Sequence, residues 1–385
     1  MRFKYHHLLV CVFAIIGASC HLGPDPLSKE HIIYPDGKQE SAAQTIDATI
    51  KDGMEISILP SEWVDYYHAK DLLDIKSYYQ SGVENTKPRY PILRWTHELG
   101  CSNYEVVLST NKKMEQSTSF IAGENKYLEL QDLYAGTHYF YQIQAKYDDK
   151  TIVSKRFDFK TIDFMRTIDI DGVYNARDIG NKKTKDGKMK IKQGLVYRTA
   201  NFDSVTQLGV QQAINKYGIK TDLDLREQGP TKSPLGDSVR YVNNGQGIYG
   251  SPLYVSYDSG VNSMDYFEPM RDNLKMFTNK DNFPLAFHCA IGRDRTGTLA
   301  TVLYLLLKID MKQIYMDHLC SFYSKACNTE SIDLIYERID TLISFFKGNS
   351  DDGKDAYKCV EKYCLTIGLT NDDIKAIRNN LLEKC

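Results

Sequence analysis

The sequence predicts two globular units: an N-terminal all-β sandwich and a C-terminal α/β unit with a central mixed or parallel sheet flanked by helices. Three observations carry that reading. The chain has 385 residues, where one ordinary domain takes about 100–200. From about residue 87 to 161, apolar and polar side chains alternate with a period of two, the mark of half-buried strands. From about residue 168, short apolar strands alternate with helical stretches, which implies helices packed on a sheet. A composition of 42% hydrophobic and 25% charged residues excludes a mostly disordered chain. With 48 Lys and Arg against 50 Asp and Glu the net charge is −2, so the whole-chain balance gives no case for nucleic acid as a partner.

The first segment reads as an address. Arg2 and Lys4 precede an apolar run from Leu8 to Ile16, and Gly17, Ala18 and Ser19 lead to Cys20. A basic start, a short apolar stretch and small residues before a cut site mark residues 1–20 as a secretory signal. That run is far short of the ~20 residues that span a bilayer, and no later run reaches that length. Small residues directly before Cys20 resemble a bacterial lipoprotein signal, in which that cysteine is lipidated after cleavage; Gly17 stands where Leu is usual. Plain secretion is the alternative. Either way the mature protein is expected outside the cytoplasm. With the anchor it is held at a bacterial membrane, on the periplasmic side or at the cell surface. Residues 21–45, with Pro24, Pro26 and Pro35 and few apolar side chains, read as a flexible tether. With Cys11 and Cys20 set aside, seven cysteines remain, so at least one is unpaired.

Residues 46–163 are expected to form the sandwich. Tyr104, Val106 and Leu108 alternate with Glu105, Val107 and Ser109, and Tyr139, Tyr141, Ile143 and Ala145 alternate with Phe140, Gln142 and Gln144. Turn residues fall between such runs at Gly100, Gly123, Gly136 and Asp148-Asp149, the spacing of a β-sandwich. Residues 46–86 fit less well. Trp63, Tyr66, Tyr67, Leu72, Leu73 and Ile75 leave a choice between an amphipathic helix and an insert. Further on, Leu93-Arg94-Trp95 resembles the early core-Trp strand of a fibronectin type III module. Leu133 to Tyr139 resembles the approach to that module's tyrosine corner, with Ala135 where Pro is common, and Phe157 to Thr161 resembles its last strand.

Residues 164–385 make up the second unit. Ser204–Tyr217 reads as a helix with Thr206 as cap and Gly218 as stop. Ile219 to Leu225 and Asn282 to His288 read as strands. Gly297–Lys308 is apolar on all sides and so is expected to be a central, buried helix. Lys312–Lys325, Ser331–Lys347 and Asp372–Lys384 are amphipathic helices, the last opened by a capping box of Thr370 and Asp373.

The chemistry lies in His288-Cys289-Ala290-Ile291-Gly292-Arg293-Asp294-Arg295-Thr296-Gly297, between a strand end and a helix start. There, backbone N–H groups and the helix dipole converge on an anion. A cysteine so placed has its thiolate stabilised. Arg295, six residues on, can return across the loop to hold two phosphate oxygens. Gly292 permits a turn that a Cβ would crowd, and Thr296 can donate a hydroxyl hydrogen bond to the sulfur. Cys289 then attacks phosphorus and forms a cysteinyl-phosphate, while Arg295 and the N–H groups of residues 290–296 steady the equatorial oxygens. An acid protonates the leaving group and water hydrolyses the intermediate. No metal and no cofactor is required. By chance, His-Cys-x5-Arg is expected about 0.01 times in a chain of this composition, and ~10⁻⁴ times with Gly292 and Thr296 included.

This segment resembles the signature loop of cysteine-dependent protein tyrosine phosphatases. Its longer form resembles the atypical bacterial tyrosine and dual-specificity phosphatases with phosphoinositide activity. Tyr174 to Gly180 resembles that subgroup's Asn-Phe-Arg-Asp-Leu-Gly-Gly opening, with Ala176 for Phe and Asn181 for the second Gly. Gly194 to Thr199, Asp222 to Arg226 and Gly368 to Thr370 resemble further parts of it, in order, over nearly all of 168–384. The resemblance implies a phosphatase fold and Asp294 as leaving-group acid. The bland alternative for Asp294 is to fix the loop or to pair with Arg177 or Arg198. Asp224, at a strand end, is a second acid candidate with a structural alternative. Asp258 and Asp265 lie in a Gly-, Ser- and Tyr-rich stretch, 243–267, read as a candidate lid, whose Tyr249, Tyr254, Tyr257 and Tyr266 could line the cleft. His288 is read as orienting the loop, and His318 as structural. Both tryptophans are N-terminal, which excludes a Trp-Pro-Asp acid loop.

Three functions are carried forward. The leading one is a phosphatase acting on phosphotyrosine in proteins or peptides. The second is the same chemistry on inositol phosphates or phosphoinositides, for which Arg293 (in place of the usual Lys) is the only extra cation in the loop. The third, from another class, is a phosphate-binding or adhesive module without turnover.

Overall fold

In the computed structural model, residues 25–244, 264–348 and 355–385 are described. The chain divides into two compact units. One holds the chain up to Ile58 together with Tyr90–Asp163. The other holds Leu59–Arg89 together with Phe164–Cys385. Residues 1–24, with the expected signal and Cys20, lie outside the described residues, and no described helix is long and apolar enough to cross a membrane.

The first unit is all-β. One sheet runs in the order Gln39–Ser41, His31–Ile33, Thr151–Val153, His138–Lys146, Phe157–Thr161, Met54–Ile56; Tyr104–Ser109 also pairs with His138–Lys146 and with Thr118–Gly123. A second sheet joins Ile46–Ala48, Ile92–His97 and Tyr127–Glu129. The alternation read from the sequence sets which faces meet. Trp95 of one sheet and Tyr104 of the other approach edge-on at 5.6 Å, both buried. The Tyr139 hydroxyl accepts from the backbone N–H of Tyr134 at 2.7 Å, the bond that defines a tyrosine corner.

Two expected boundaries differ from the structure. Part of the expected tether, 21–45, is strand: His31–Ile33 pairs with both Gln39–Ser41 and Thr151–Val153 across a turn at Gly37. Glu30 is buried there because its carboxylate accepts from the backbone N–H groups of Thr45 and Ile46. The expected sandwich span, 46–163, is interrupted by Leu59–Arg89. That stretch carries helix α1 (Ser61–His68), whose Trp63 and Tyr66 are fully buried against Tyr323 of the second unit. Its apolar face therefore finds cover away from the strands that flank it in sequence.

The second unit is built on a six-stranded mixed sheet. We number its strands β1 (Arg166–Thr167), β2 (Arg177–Asp178), β3 (Val196–Thr199), β4 (Thr221–Asp224), β5 (Arg240–Asn243) and β6 (Leu285–His288). The spatial order is β1-β2-β3-β6-β4-β5. β3, β6, β4 and β5 are parallel, and β1 and β2 form an antiparallel edge. Register brings Thr199 of β3 and Asp224 of β4 level with His288 of β6. The loop that begins at Cys289 thus leaves the carboxyl edge of the central strand, where ligands of α/β sheets bind.

Eight α-helices of the described residues complete the chain. After α1 come α2 (Gln207–Gln211), α3 (Phe267–Lys275), α4 (Asp294–Leu306), α5 (Met311–Leu319), α6 (Ile332–Gly348), α7 (Ala356–Thr366) and α8 (Asn371–Leu381). α2 runs on as a π-helical turn to Lys216, with Thr206 capping the N–H of Gly209 and Gly218 at φ +64° ending it. All thirteen residues of α4 are buried, as a helix apolar on every side must be. α7 packs on both α4 and α6, and the sequence reading did not anticipate it. α8 carries the expected Thr370–Asp373 capping box but stops at Leu381, because Leu382–Lys384 pairs as a strand with Met189–Ile191.

Candidate active site

The loop from Cys289 to Arg293 is shaped by what grips its carbonyls. The His288 ring, at Nδ1, lies 3.2 Å from the Cys289 carbonyl. Asn201 donates its backbone N–H (3.1 Å) and its Nδ2 (2.8 Å) to the Ala290 carbonyl. Asn175 Nδ2 donates to the Ile291 carbonyl at 3.0 Å, and Cys327 Sγ donates to the same oxygen at 3.3 Å. Arg198 Nη2 donates to the Gly292 carbonyl at 2.9 Å. In a trans peptide the next N–H points opposite to the carbonyl. Pinning these carbonyls outward therefore turns the N–H groups of Ala290, Ile291, Gly292 and Arg293 to the inside of the loop. At its end they meet the N-terminus of α4, where the first N–H groups of a helix face an incoming anion.

Gly292 is required by this path. Its φ is +71°, and a Cβ there would lie 2.3 Å from the Thr199 carbonyl oxygen. The next helix is close as well: a Cβ on Gly297 would lie 2.6 Å from Nδ1 of His318 on α5. Cys289 begins the loop as a free thiol with 2% exposure. None of the other six cysteines of the described residues is in a disulfide.

Beneath the loop lies a buried ionic cluster centred on Asp317 of α5. Arg177 Nε meets its Oδ1 at 3.1 Å, Lys182 Nζ meets Oδ1 at 3.2 Å, and Arg198 Nη1 and the Tyr304 hydroxyl meet Oδ2. Burial alone would raise the Asp317 pKa, but the charges of Lys182, Arg177 and Arg198 outweigh it and hold the carboxyl well below its ordinary range. Arg198 touches both Asp317 and the Gly292 carbonyl, so the cluster is bonded directly to the loop. Arg177 and Arg198, named as alternative partners of Asp294, are both drawn to Asp317 instead.

A second pair supports the start of the loop. His288 Nε2 lies 2.8 Å from Asp222 Oδ1, and Asp222 Oδ2 accepts from Ser233 Oγ at 2.6 Å. Burial works against the charged ring, yet the hydrogen bond and charge of Asp222, with Asp224 behind it, raise the His288 pKa above its ordinary value. The protonated ring can then donate to both Asp222 and the Cys289 carbonyl, which fits the loop-orienting role. His318 is driven the other way, to about 3, chiefly by burial and then by the charge of Arg198.

Asp224 is fully buried and accepts from Arg226 Nε at 3.0 and 3.1 Å, from Arg226 Nη2 at 2.8 Å, and from the Tyr241 hydroxyl at 3.1 Å. Burial raises its pKa, but Arg226 and His288 together bring it below the ordinary carboxyl value. These contacts favour the charged carboxylate, where a proton donor needs the opposite shift. Asp294 is buried on the first turn of α4. Its oxygens accept from Arg293 Nε at 3.1 Å and Nη2 at 3.3 Å. Arg293 also donates to Glu330 and to the Cys327 carbonyl, and Arg338 joins from α6 with Nη1 2.7 Å from Glu330.

Arg295 has its Nη1 3.4 Å from the Leu225 carbonyl, just beyond β4. Thr296 is fully buried with a hydroxyl that has no hydrogen-bond partner among the described residues, so the expected bond to Cys289 is not formed. A hydroxyl is set by one rotatable bond, which residue spacing does not fix. Asp258, Tyr249, Tyr254 and Tyr257 lie outside the described residues, as does the side chain of Asp265; Tyr266 is buried at the start of α3. The sequence reading missed Asn201, Lys182, Asp317, Cys327, Glu330 and Arg338. Their signal is weak because each is a single polar residue, remote in sequence from the loop it supports.

A buried cysteine opening a loop of inward N–H groups, with an arginine on the following helical turn, is the arrangement of a cysteine-dependent phosphatase. Residues 168–383, more than half of the chain, match the model of the tyrosine phosphatase family, and the chain belongs to that family. It is a phosphoric monoester hydrolase. No curated protein matches the chain. Among solved structures, the core catalytic domain of the PP-IP phosphatase Siw14 from S. cerevisiae, in complex with citrate, is 19% identical. That match covers 37% of this chain and 78% of that one with a TM-score of 0.27. A second structure, of the Siw14 catalytic core, is 17% identical over 46% of this chain and 90% of that one, with a TM-score of 0.29.

Proposed function

We propose that the chain hydrolyses phosphotyrosine in proteins or peptides. The observation that carries this is the depth of the sulfur combined with the commitment of Arg293. With 2% exposure at Cys289, the phosphate must arrive on a long, slender arm, as a phenyl ring offers. An inositol polyphosphate needs instead several free cations around the loop. Arg293, the extra cation of the loop, is 3% exposed and spends its guanidinium on Asp294, Cys327 and Glu330. This supports phosphotyrosine over the inositol phosphates.

In the proposed reaction the Cys289 thiolate attacks phosphorus. The S–P bond forms as the bond to the phenolic oxygen breaks, and that oxygen takes a proton from Asp294. The loop N–H groups and Arg295 hold the three equatorial oxygens. Asp294 is assigned as acid because the resemblance of the loop places the acid there; like Asp224 it is paired with an arginine, Arg293, so the leaving-group test decides between the acid and loop-fixing roles. Water then attacks phosphorus, the S–P bond breaks, the thiolate is restored, and the water's proton returns to Asp294. Inorganic phosphate leaves.

The signal-like N-terminus and Cys20 support an extracytoplasmic, lipid-anchored enzyme. The core Trp95 and the tyrosine corner at Tyr139 support a fibronectin type III-like spacer or docking module. The deciding experiment compares a phosphotyrosine peptide with inositol hexakisphosphate, using wild type and Cys289→Ser. Peptide turnover that is lost in Cys289→Ser and unaffected by chelator is the expected result. A preference for the inositol substrate reverses the assignment, and phosphopeptide binding without turnover makes the chain a binding module.

A further inference from the structure

We propose that Leu59–Arg89, which lies outside the region matched to the family, is a positioning element for the phosphate loop. The inference rests on the phosphatase reading and adds a part to the machinery. Residues 321–330 connect the two. After a 3₁₀ turn at Cys320–Tyr323 they have no helix or strand of their own, so what they touch sets their place.

One side of this stretch is held by Leu59–Arg89. Tyr323 donates its hydroxyl to the Glu62 carbonyl at 2.8 Å, and its ring stacks on Trp63 at 4.8 Å. Its own carbonyl accepts the Asn85 N–H at 2.7 Å. Ser324 Oγ and the Lys325 N–H both donate to Glu84 Oε2, at 2.9 and 3.0 Å. Asn328 accepts the Gly82 N–H at 3.1 Å and donates to the Gln80 carbonyl at 3.3 Å. The segment is tied shut on itself by Trp63 Nε1 donating to the Asn85 carbonyl at 2.7 Å.

The other side of the stretch holds the catalytic loop. Cys327 Sγ donates to the Ile291 carbonyl, and the Cys327 carbonyl accepts Arg293 Nη1 at 2.8 Å. Glu330 accepts Arg293 Nη2, and Ser321 Oγ accepts Arg177 Nη2. Within these ten residues, Tyr323, Ser324 and Asn328 face Leu59–Arg89, while Cys327 and Glu330 face Ile291–Arg293. A shift of the first set displaces the second, and with it the N–H groups aimed at phosphate.

The test uses the full chain with Glu84→Ala, and with Glu84→Gln, whose amide oxygen still accepts. In Glu84→Ala we expect cooperative thermal unfolding but a kcat on an aryl phosphate lower by about 10- to 100-fold, the scale of a sub-ångström to ångström misplacement. Inorganic phosphate should protect Cys289 from iodoacetamide less well, because the N–H groups that would hold it are displaced. Glu84→Gln should restore most of each. Equal kcat and equal protection in Glu84→Ala and wild type overturn the proposal. Should Glu84→Ala not fold, Ser324→Ala, which removes one of the same bonds, is read by the same two measures. A wild type that binds phosphate without turnover sinks the phosphatase reading, while weakened protection in Glu84→Ala still supports the positioning role. A wild type that turns over beside an unaltered Glu84→Ala sinks the positioning role alone.

Discussion

Gly292→Ala tests how tightly the loop is held against the sheet. A Cβ at this position would lie 2.3 Å from the Thr199 carbonyl oxygen, 2.5 Å from its carbon and 2.7 Å from the Ala200 nitrogen. All three are backbone atoms at the end of β3, and none can swing aside as a side chain would. Restoring an ordinary van der Waals contact takes a displacement of about 1 Å. Holding an L-residue near φ +71° adds about 1–2 kcal/mol of strain. The carbonyl of this same residue is pinned by Arg198, so the displacement cannot be confined to the Cβ. A 1 Å misplacement near a reacting centre costs roughly 100-fold in rate, which corresponds to about 2.7 kcal/mol of transition-state stabilisation. Steady-state hydrolysis of a nitrophenyl phosphate, read beside thermal unfolding, separates the two effects. We expect kcat to fall about 100-fold while the protein remains folded. A Gly292→Ala enzyme within about threefold of wild type in kcat would refute the pinned loop, since that is far below the cost of such a misplacement.

Other perturbations follow from the same contacts. Asp317→Asn leaves Arg177, Arg198 and Lys182 buried without a counter-charge, and chemical denaturation should show a loss of roughly 3–5 kcal/mol; a loss under about 1 kcal/mol contradicts the cluster's role. His288 has a folded pKa raised above its ordinary 6.5, so its stabilisation is complete below that value and fades as pH rises through the folded one. Asp222→Asn should therefore lower Tm more at pH 6 than at pH 9, and an equal loss at both speaks against a charged His288. If Asp294 is the acid, Asp294→Asn should slow esters with poor leaving groups, such as phenyl phosphate, far more than nitrophenyl phosphate. Equal slowing of both makes Asp294 a loop-fixing residue.

The sequence made the candidate site legible because its parts are contiguous. His288 to Gly297 carries the proposed nucleophile, the turn glycine and the arginine in one run, and strand–loop–helix context follows from local patterning. The all-round apolar α4 and the Thr370–Asp373 cap were readable for the same reason: each depends only on near neighbours in the chain. What could not be read is what distant segments supply. Asp317 occupies an unremarkable position on a helix, and nothing local says that three cations converge on it. Asn175 and Asn201 look like turn residues until the loop carbonyls are seen beside them. Leu59–Arg89 has an apolar face whose partner, Tyr323, is 260 residues from Trp63 in sequence, a pairing no periodicity reveals. The tether failed on the same count, since Ile32 finds its strand partner at Ile152.

The central claim is that phosphate passes through the Cys289 sulfur. Rapid acid quench during turnover of an aryl phosphate, followed by peptide mass spectrometry, reads this directly. One phosphoryl group on the peptide containing Cys289, absent from Cys289→Ser, is the predicted result. Phosphate found on another residue, or full turnover by Cys289→Ser, would contradict it.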